Sequence, residues 1–153
     1  MIALAIPGRG AYQLTHLALD LNGTLALDGR LIEGVPQRLQ ALHPRLNLNV
    51  LTADTYGTID RIEQQLGFST WRISGSADKA RVVQELGETS VVAIGNGAND
   101  AEMLSKAILG IAVMGPEGTA REAIGAADIV VPNILVALDL LLNPTRLVAT
   151  LRC

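Results

Sequence analysis

Asp20 ends the apolar run Leu17-Ala18-Leu19 and is followed at once by Leu21-Asn22-Gly23-Thr24. A carboxylate at the C-terminal tip of a buried strand stands where open α/β sheets place their ligands, poised as a nucleophile or a metal ligand. Three further groups occupy comparable places, each just after an apolar run. Thr52-Ala53-Asp54 follows residues 46–51, Lys79 follows residues 71–74, and Gly95-Asn96-Gly97-Ala98-Asn99-Asp100 follows residues 91–94. If the strands are parallel, all four loops lie at one edge of the sheet and can converge.

A carboxylate, a hydroxyl, an ammonium and a second acid in a Gly-rich loop suit phosphoryl transfer. Asp20 can attack phosphorus and carry the phosphoryl group as an aspartyl-phosphate. Thr52 and neighbouring backbone amides can hold phosphoryl oxygens, and Lys79 can neutralise the charge that would repel the nucleophile. Asp20, Asp100 and backbone carbonyls can hold Mg²⁺, which favours a few carboxylates plus water. Each residue alone has a plainer reading: Asp20 as a turn former, Thr52 and Asn99 as helix N-caps, Lys79 as a solvated lysine. Their order, with each at a strand-to-helix junction, favours the joint reading. Asp54 either lines the pocket beside Thr52 or caps the next helix. His16, inside a strand, and His43, at a helix end, have no second ligand in view, and Met103 and Met114 read as core.

The elements that must position these groups follow from hydrophobic patterning. Strands are expected at residues 2–6, 14–20, 46–52, 71–74, 91–95, 108–114 and 128–131, and helices at 35–43, 57–66, 78–86, 100–106, 119–126 and 134–142. Ile59, Ile62 and Leu66 mark one helical face, and Gly87 is placed to cap the helix from Asp78. Strand–helix alternation argues for an α/β fold, Rossmann-like, with a mostly parallel sheet covered by helices on both faces. The first strand is expected to pair antiparallel with 14–20 through a turn at Pro7-Gly8-Arg9-Gly10. Residues 25–34 read as a small β-hairpin flap with Asp28-Gly29 at its tip, next to the Asp20 turn.

The 153 residues suggest a single domain, 1–153. Only four residues are aromatic (Tyr12, Tyr56, Phe68, Trp71), so the core must be built from Leu, Ile, Val and Ala. A net charge of −3, without a basic patch interleaved with aromatics, speaks against nucleic acid as a partner. Cys153 is the only cysteine, which excludes an intramolecular disulfide. No apolar run is long enough to span a bilayer, and the N-terminal one is too short for a signal peptide. The expectation is a soluble, cytoplasmic protein with no membrane partner.

With these motifs in order, the chain resembles the haloacid dehalogenase superfamily from Leu14 to about Leu142. Asp20-Leu21-Asn22-Gly23-Thr24-Leu25 is similar to its first motif, Leu51-Thr52 to the second, Asp78-Lys79 to the third, and Gly95–Asp100 to the fourth. The run from Gly95 to Leu104, followed by Leu109–Val113 and Ala126–Val131, most resembles the phosphorylation domain of P-type ATPases, and the whole resembles that group's soluble phosphatase-like members. The 32 positions from Asp20 to Thr52 and the 27 from Thr52 to Lys79 leave no room for a cap domain. The chain is in this respect similar to the capless deoxy-octulosonate phosphate phosphatases, which form tetramers through the hairpin.

The resemblance implies a Mg²⁺-dependent hydrolase of small phosphorylated substrates. Asp20, Asn22, Thr52 and Lys79 would be catalytic. Gly23, Thr24, Thr52, Ala53, Lys79 and Asn99 would bind phosphate, and Asp20, Asn22, Asn96 and Asp100 the metal. It also implies a homo-oligomer through hairpin 25–34. Two positions depart from the pattern. Family phosphatases carry at 22 an Asp that protonates the leaving group and then activates water, and an amide cannot shuttle a proton. P-type ATPases carry Thr there and form long-lived phosphoenzymes. Asn96 stands where the family has a metal-binding Asp. Both changes point to slow turnover, and they leave a non-catalytic phosphate- or partner-binding module as the alternative. A receiver-like domain phosphorylated on Asp20 fits less well with the Gly23-Thr24 turn. Because both Asn residues precede Gly, deamidation in aged protein is a further expectation.

Overall fold

The computed structural model describes residues 1–53 and 59–153. Its elements are β1 (Ile2–Ile6), β2 (Gly10–Leu14), β3 (His16–Asp20), β4 (Ala26–Leu27), β5 (Arg30–Leu31), α1 (Val35–Leu42), β6 (Asn47–Thr52), α2 (Ile59–Leu66), β7 (Trp71–Arg72), α3 (Ser76–Leu86), β8 (Val91–Gly95), α4 (Ala101–Lys106), β9 (Leu109–Val113), α5 (Arg121–Ala126), β10 (Ile129–Val131), α6 (Ile134–Leu142) and α7 (Pro144–Leu151).

Six strands form one sheet in the order β10-β9-β8-β3-β6-β7, and every pairing in it is parallel. β3 lies between β8 and β6, with Leu17 opposite Val92 on one side and Leu48 on the other. The alternation along each strand sorts side chains by size. Leu17, Leu19, Val92, Ile94, Leu109, Ile111 and Val113 join the core shared with α1, α6 and α7. Ala18, Ala93 and Ala112 face the opposite layer with Val82, Val83, Met103 and Ala123. Small residues on that face let α3, α4 and α5 pack close to the sheet. Both faces are therefore covered, as expected of parallel sheets.

The N-terminal expectation needs correction. The apolar run 14–20 breaks at Thr15, whose N–H donates to Ser90 O while its carbonyl accepts from Asn47 N. β1 pairs antiparallel with β2, Ile2 opposite Leu14, in a two-stranded ribbon separate from the main sheet. Ile2, Leu4 and Ile6 turn inward, and β1 packs on α7. That helix was not anticipated. Asn143-Pro144 reads as a stop after α6, yet proline at the first helical position starts a new helix that buries Leu147 and Leu151. β7 is shorter than expected, at the edge of the sheet, and α3 begins two residues early, at Ser76. Met103 is core, but Met114 is 55% exposed, on the loop after β9.

The hairpin is present. β4 and β5 pair antiparallel, with Leu27 opposite Arg30. Asp28 (φ 50°) and Gly29 (φ 74°) both take the left-handed conformation that two-residue hairpins require. Arg38 holds its base, donating to Gly34 O and forming a two-pronged ion pair with Asp139 of α6. Between Asp20 and Thr52 the structure holds only this hairpin and α1. Among the described residues, no single helix is long and apolar enough to cross a membrane. The apolar α6 and α7 meet at a bend of 103°.

Candidate active site

The strand order places Asp20 at the centre of the sheet's carboxyl edge. Asp20 lies opposite Leu51, one residue before Thr52, and Gly95 ends the strand on its other side. After Asp20 the chain turns tightly. The Leu21 carbonyl accepts from the N–H groups of Thr24, Leu25 and Ala26, and Gly23 N–H donates to Ala26 O. Gly23 has φ 81°, open to glycine with little strain. This turn folds Thr24 back so that its hydroxyl lies 3.0 Å from Asp20 Oδ2 and 3.2 Å from Asn96 Oδ1.

Lys79 enters from the first turn of α3. Its Nζ lies 2.5 Å from Asp20 Oδ1 and 2.5 Å from Asp100 Oδ1, with all three side chains buried. The other oxygen of Asp100 accepts from the backbone N–H groups of Asn96 and Gly97, at 3.0 and 2.9 Å. Asp100 therefore ties the fourth loop to the lysine. Gly95 makes room for it, because a Cβ there would stand 2.5 Å from Asp100 Cγ. With both oxygens so engaged, Asp100 anchors the fourth loop to Lys79.

These contacts set the charges. Burial, with the nearby negative charge of Asp100, raises the Asp20 carboxyl from 3.8 to about 6, although Lys79 and the Thr24 hydroxyl pull it down. Burial disfavours the Lys79 ammonium, but Asp20 and Asp100 outweigh it and raise its pKa above the ordinary value. Lys79 is thus firmly a cation, and Asp20 is mostly ionised at neutral pH.

The structure gathers Asp20, Thr24, Lys79, Asn96 and Asp100 by direct contact. Thr52 is buried at the tip of β6, and Ile73 N–H donates to its carbonyl. Asn22 is half-buried in the turn; Ala53 and Asn99 are exposed, Asn99 lying over Gly97. Asp54 lies outside the described residues. His16 is in β3 with Nδ1 buried and unpartnered, and burial lowers its pKa.

A family model for haloacid dehalogenase-like hydrolases matches residues 3–107. The chain belongs to this family. An uncharacterized protein of Methanocaldococcus jannaschii is 47% identical over 78 residues, 48% of this chain and 84% of that protein. The copper-transporting ATPase 1 of Rhizobium meliloti is 35% identical over 123 residues, covering 75% of this chain but only 14% of the pump. Among solved structures, the 3-deoxy-D-manno-octulosonate 8-phosphate phosphatase of Moraxella catarrhalis, in complex with magnesium, phosphate and KDO, superposes with a TM-score of 0.67. It is 21% identical and covers 91% of this chain and 94% of its own. A zinc-transporting PIB-type ATPase in its E2·Pi state gives a TM-score of 0.65 at 24% identity, covering 78% of this chain and 20% of the pump. These two likenesses show the fold.

Among the described residues no three His, Cys, Asp or Glu side chains are grouped so as to hold a metal ion. One observation nevertheless suits a cation. Asp20 Oδ2 and Asn96 Oδ1 both face the Thr24 hydroxyl, which has a single proton to give. Among the described residues one of those two oxygens is left without a donor, and a cation near both would satisfy it.

Sequence reasoning missed a fifth loop, Met114–Thr119, between β9 and α5. Its Gly118 carbonyl accepts from Asn96 Nδ2 at 3.0 Å, and Ala120 N–H donates to Asn96 O at 2.9 Å. A Cβ on Gly23 would stand 2.6 Å from Glu117 Oε2 and 2.8 Å from Asn96 Nδ2, so Glu117 reaches the turn after Asp20. The signal was available: Gly115-Pro116-Glu117-Gly118 is another strand-to-helix junction at the same edge, like the four that were singled out.

Proposed function

We propose that this protein is a phosphomonoesterase that works through an aspartyl-phosphate on Asp20, and that Asp20, Asn96 and the Asn22 turn, with Asp100 beside them, would hold a Mg²⁺ ion. The observation that carries this reading is the buried carboxylate at the central strand tip, charge-balanced by Lys79, which Asp100 holds in place. A bound cation would offset the negative charge of the phosphoryl oxygens near Asp20. The family supplies the hydrolase chemistry, and the fold shared with a sugar-phosphate phosphatase suggests a small phosphorylated substrate.

Asp20 attacks phosphorus as the bond to the leaving oxygen breaks, and that oxygen departs with its electron pair. Thr52, the Thr24 hydroxyl, Ala53 and Lys79 would neutralise or orient the phosphoryl oxygens, with Gly23 keeping the turn clear of a side chain and Asn99 at the rim. Water then attacks phosphorus, the Asp20–phosphorus bond breaks, and inorganic phosphate leaves. Asn22 orients water or leaving group by hydrogen bonding but neither gives nor takes a proton: the leaving oxygen takes its proton from solvent and the attacking water loses one to solvent, so both steps are slow. The hairpin flap would close the site of a neighbouring copy in a homo-oligomer.

The test is beryllium fluoride trapping and turnover of small phosphoesters, in wild type and in Asp20→Asn. Mg²⁺-dependent trapping and turnover that both require Asp20 support the enzyme. Phosphate binding without trapping or turnover supports the second reading, a non-catalytic phosphate-binding module, which the amides at 22 and 96 favour.

A further inference from the structure

Glu117 is the one carboxylate of the fifth loop; its side chain is exposed, but the loop that carries it is fixed by contacts. Thr119 Oγ1 donates to Val113 O at 2.7 Å, Gly118 N–H to Gly115 O at 2.9 Å, and Asn96 Nδ2 to Gly118 O at 3.0 Å. A Cβ on Gly115 would stand 2.7 Å from Gly23 O, so the loop rests on the turn after Asp20 at Gly115 and on the fourth loop at Gly118. Glu117 Oε2 and both polar atoms of the Asn96 side chain all lie within 3.1 Å of a single point above Gly23. The Glu117 carboxylate itself has no hydrogen bond or ion pair among the described residues.

We propose that Glu117 supplies the negative charge that the side chain at 96 lacks, drawing a divalent cation to the Asn96 side of Asp20. The proposal rests on the reading that a cation sits between Asp20 and Asn96. Without Glu117, the contacting site carries two carboxylates and one ammonium, a net single negative charge, which is poor complement for a divalent ion. With Glu117 the charge of the site balances the ion. The carboxylate has moved from the fourth loop to the fifth: Asn96 keeps an oxygen for the ion and spends its amide nitrogen on the Gly118 carbonyl that fixes the loop carrying Glu117. Whether Glu117 meets the ion directly or through one of its waters, the charge acts at the same place. Outer-sphere carboxylates of this kind change metal affinity by about 10–100-fold.

The experiment measures Mn²⁺ affinity by electron paramagnetic resonance, with Mg²⁺ by competition, on the full chain without substrate. Glu117→Gln should weaken Mn²⁺ binding by about tenfold or more, while the nearby Glu122→Gln should leave it unchanged. Adding Asn96→Asp to Glu117→Gln should return the affinity toward that of wild type. Circular dichroism melts without metal check that each variant folds. Equal affinity in wild type and Glu117→Gln overturns the proposal, as does a wild type that binds no Mn²⁺, or a folded double variant that does not recover. Because no turnover is read, the outcomes separate: Glu117-dependent binding in a protein without phosphatase activity defeats the hydrolysis reading alone, and turnover with Glu117-independent binding defeats this one alone.

Discussion

Lys79 Nζ lies 2.5 Å from Asp20 Oδ1, and both groups are almost wholly buried. The pair exists for the site more than for the fold, because taking two ions out of water costs much of what their attraction returns. Removing one partner is different, since it strands the other charge. Lys79→Met leaves Asp20 and Asp100 facing each other without a cation. It should cost about 3–5 kcal/mol in urea unfolding at pH 7.5, and less at pH 5, where Asp20 is protonated. A loss that does not shrink with acid would contradict this account of the pair.

The raised pKa of Asp20 has its own signature in metal-free protein. The folded state holds the Asp20 proton up to about pH 6, and the unfolded chain only to 3.8. Tighter proton binding in the fold stabilises it fully below 3.8, and that stabilisation is lost as pH rises through about 6. Asp20→Asn removes the titration. Its melting temperature relative to wild type should therefore climb between pH 4 and pH 7. Melts across that range check it, and a constant difference would count against a buried, raised Asp20.

Asn22→Asp should raise turnover of aryl phosphates toward the 10²–10⁴-fold that general acid–base help typically contributes, with at least about a tenfold gain. The exchange is nearly isosteric, the side chain is half-buried, and it makes no hydrogen bond among the described residues. Steady-state kinetics decide the matter. Unchanged kcat would mean that proton transfer at 22 does not limit the rate.

Much of this was legible beforehand because the parallel sheet converts sequence order into spatial convergence. Asp20, Lys79 and Asp100 are far apart in the chain, yet each follows a buried strand, and apolar runs are easy to read. The direction of the fourth loop was not legible. Asp100 turns both oxygens onto Lys79 and the amides of Asn96 and Gly97, a matter of loop geometry that residue type does not reveal. The break at Thr15 escaped because residues 14 and 16–20 read as one continuous strand; only pairing with two different partners separates them. Glu117 escaped because its motif has no distinctive residue beyond a single acid between glycines.

The Asn-Gly expectation changes with the structure in view. Deamidation requires the glycine nitrogen to attack the preceding side chain, which needs a freely turning backbone. Gly23 N–H is held by Ala26 O at 2.8 Å and Gly97 N–H by Asp100 Oδ2 at 2.9 Å. Both sites should therefore deamidate slowly in folded protein and quickly after denaturation. Peptide mass spectrometry after weeks at pH 8, with and without urea, checks this; equal one-dalton shifts in both samples would contradict it.

Asn96→Asp would place an acid in the fourth loop at the cost of the contact between Asn96 and Gly118. The amide nitrogen donates to the Gly118 carbonyl, and a carboxylate would instead turn an oxygen toward that carbonyl while standing close to Glu117 Oε2. Without metal, the variant should lose about 0.5–1.5 kcal/mol, the usual net worth of a hydrogen bond, since Gly118 is exposed and water can replace the lost donor. Saturating Mg²⁺ should recover part of that loss, because the added charge tightens the ion it must balance. Chemical unfolding with and without Mg²⁺ measures both halves. If Asn96→Asp were as stable as wild type in chelator, the Asn96–Gly118 bond would not be what seats the fifth loop.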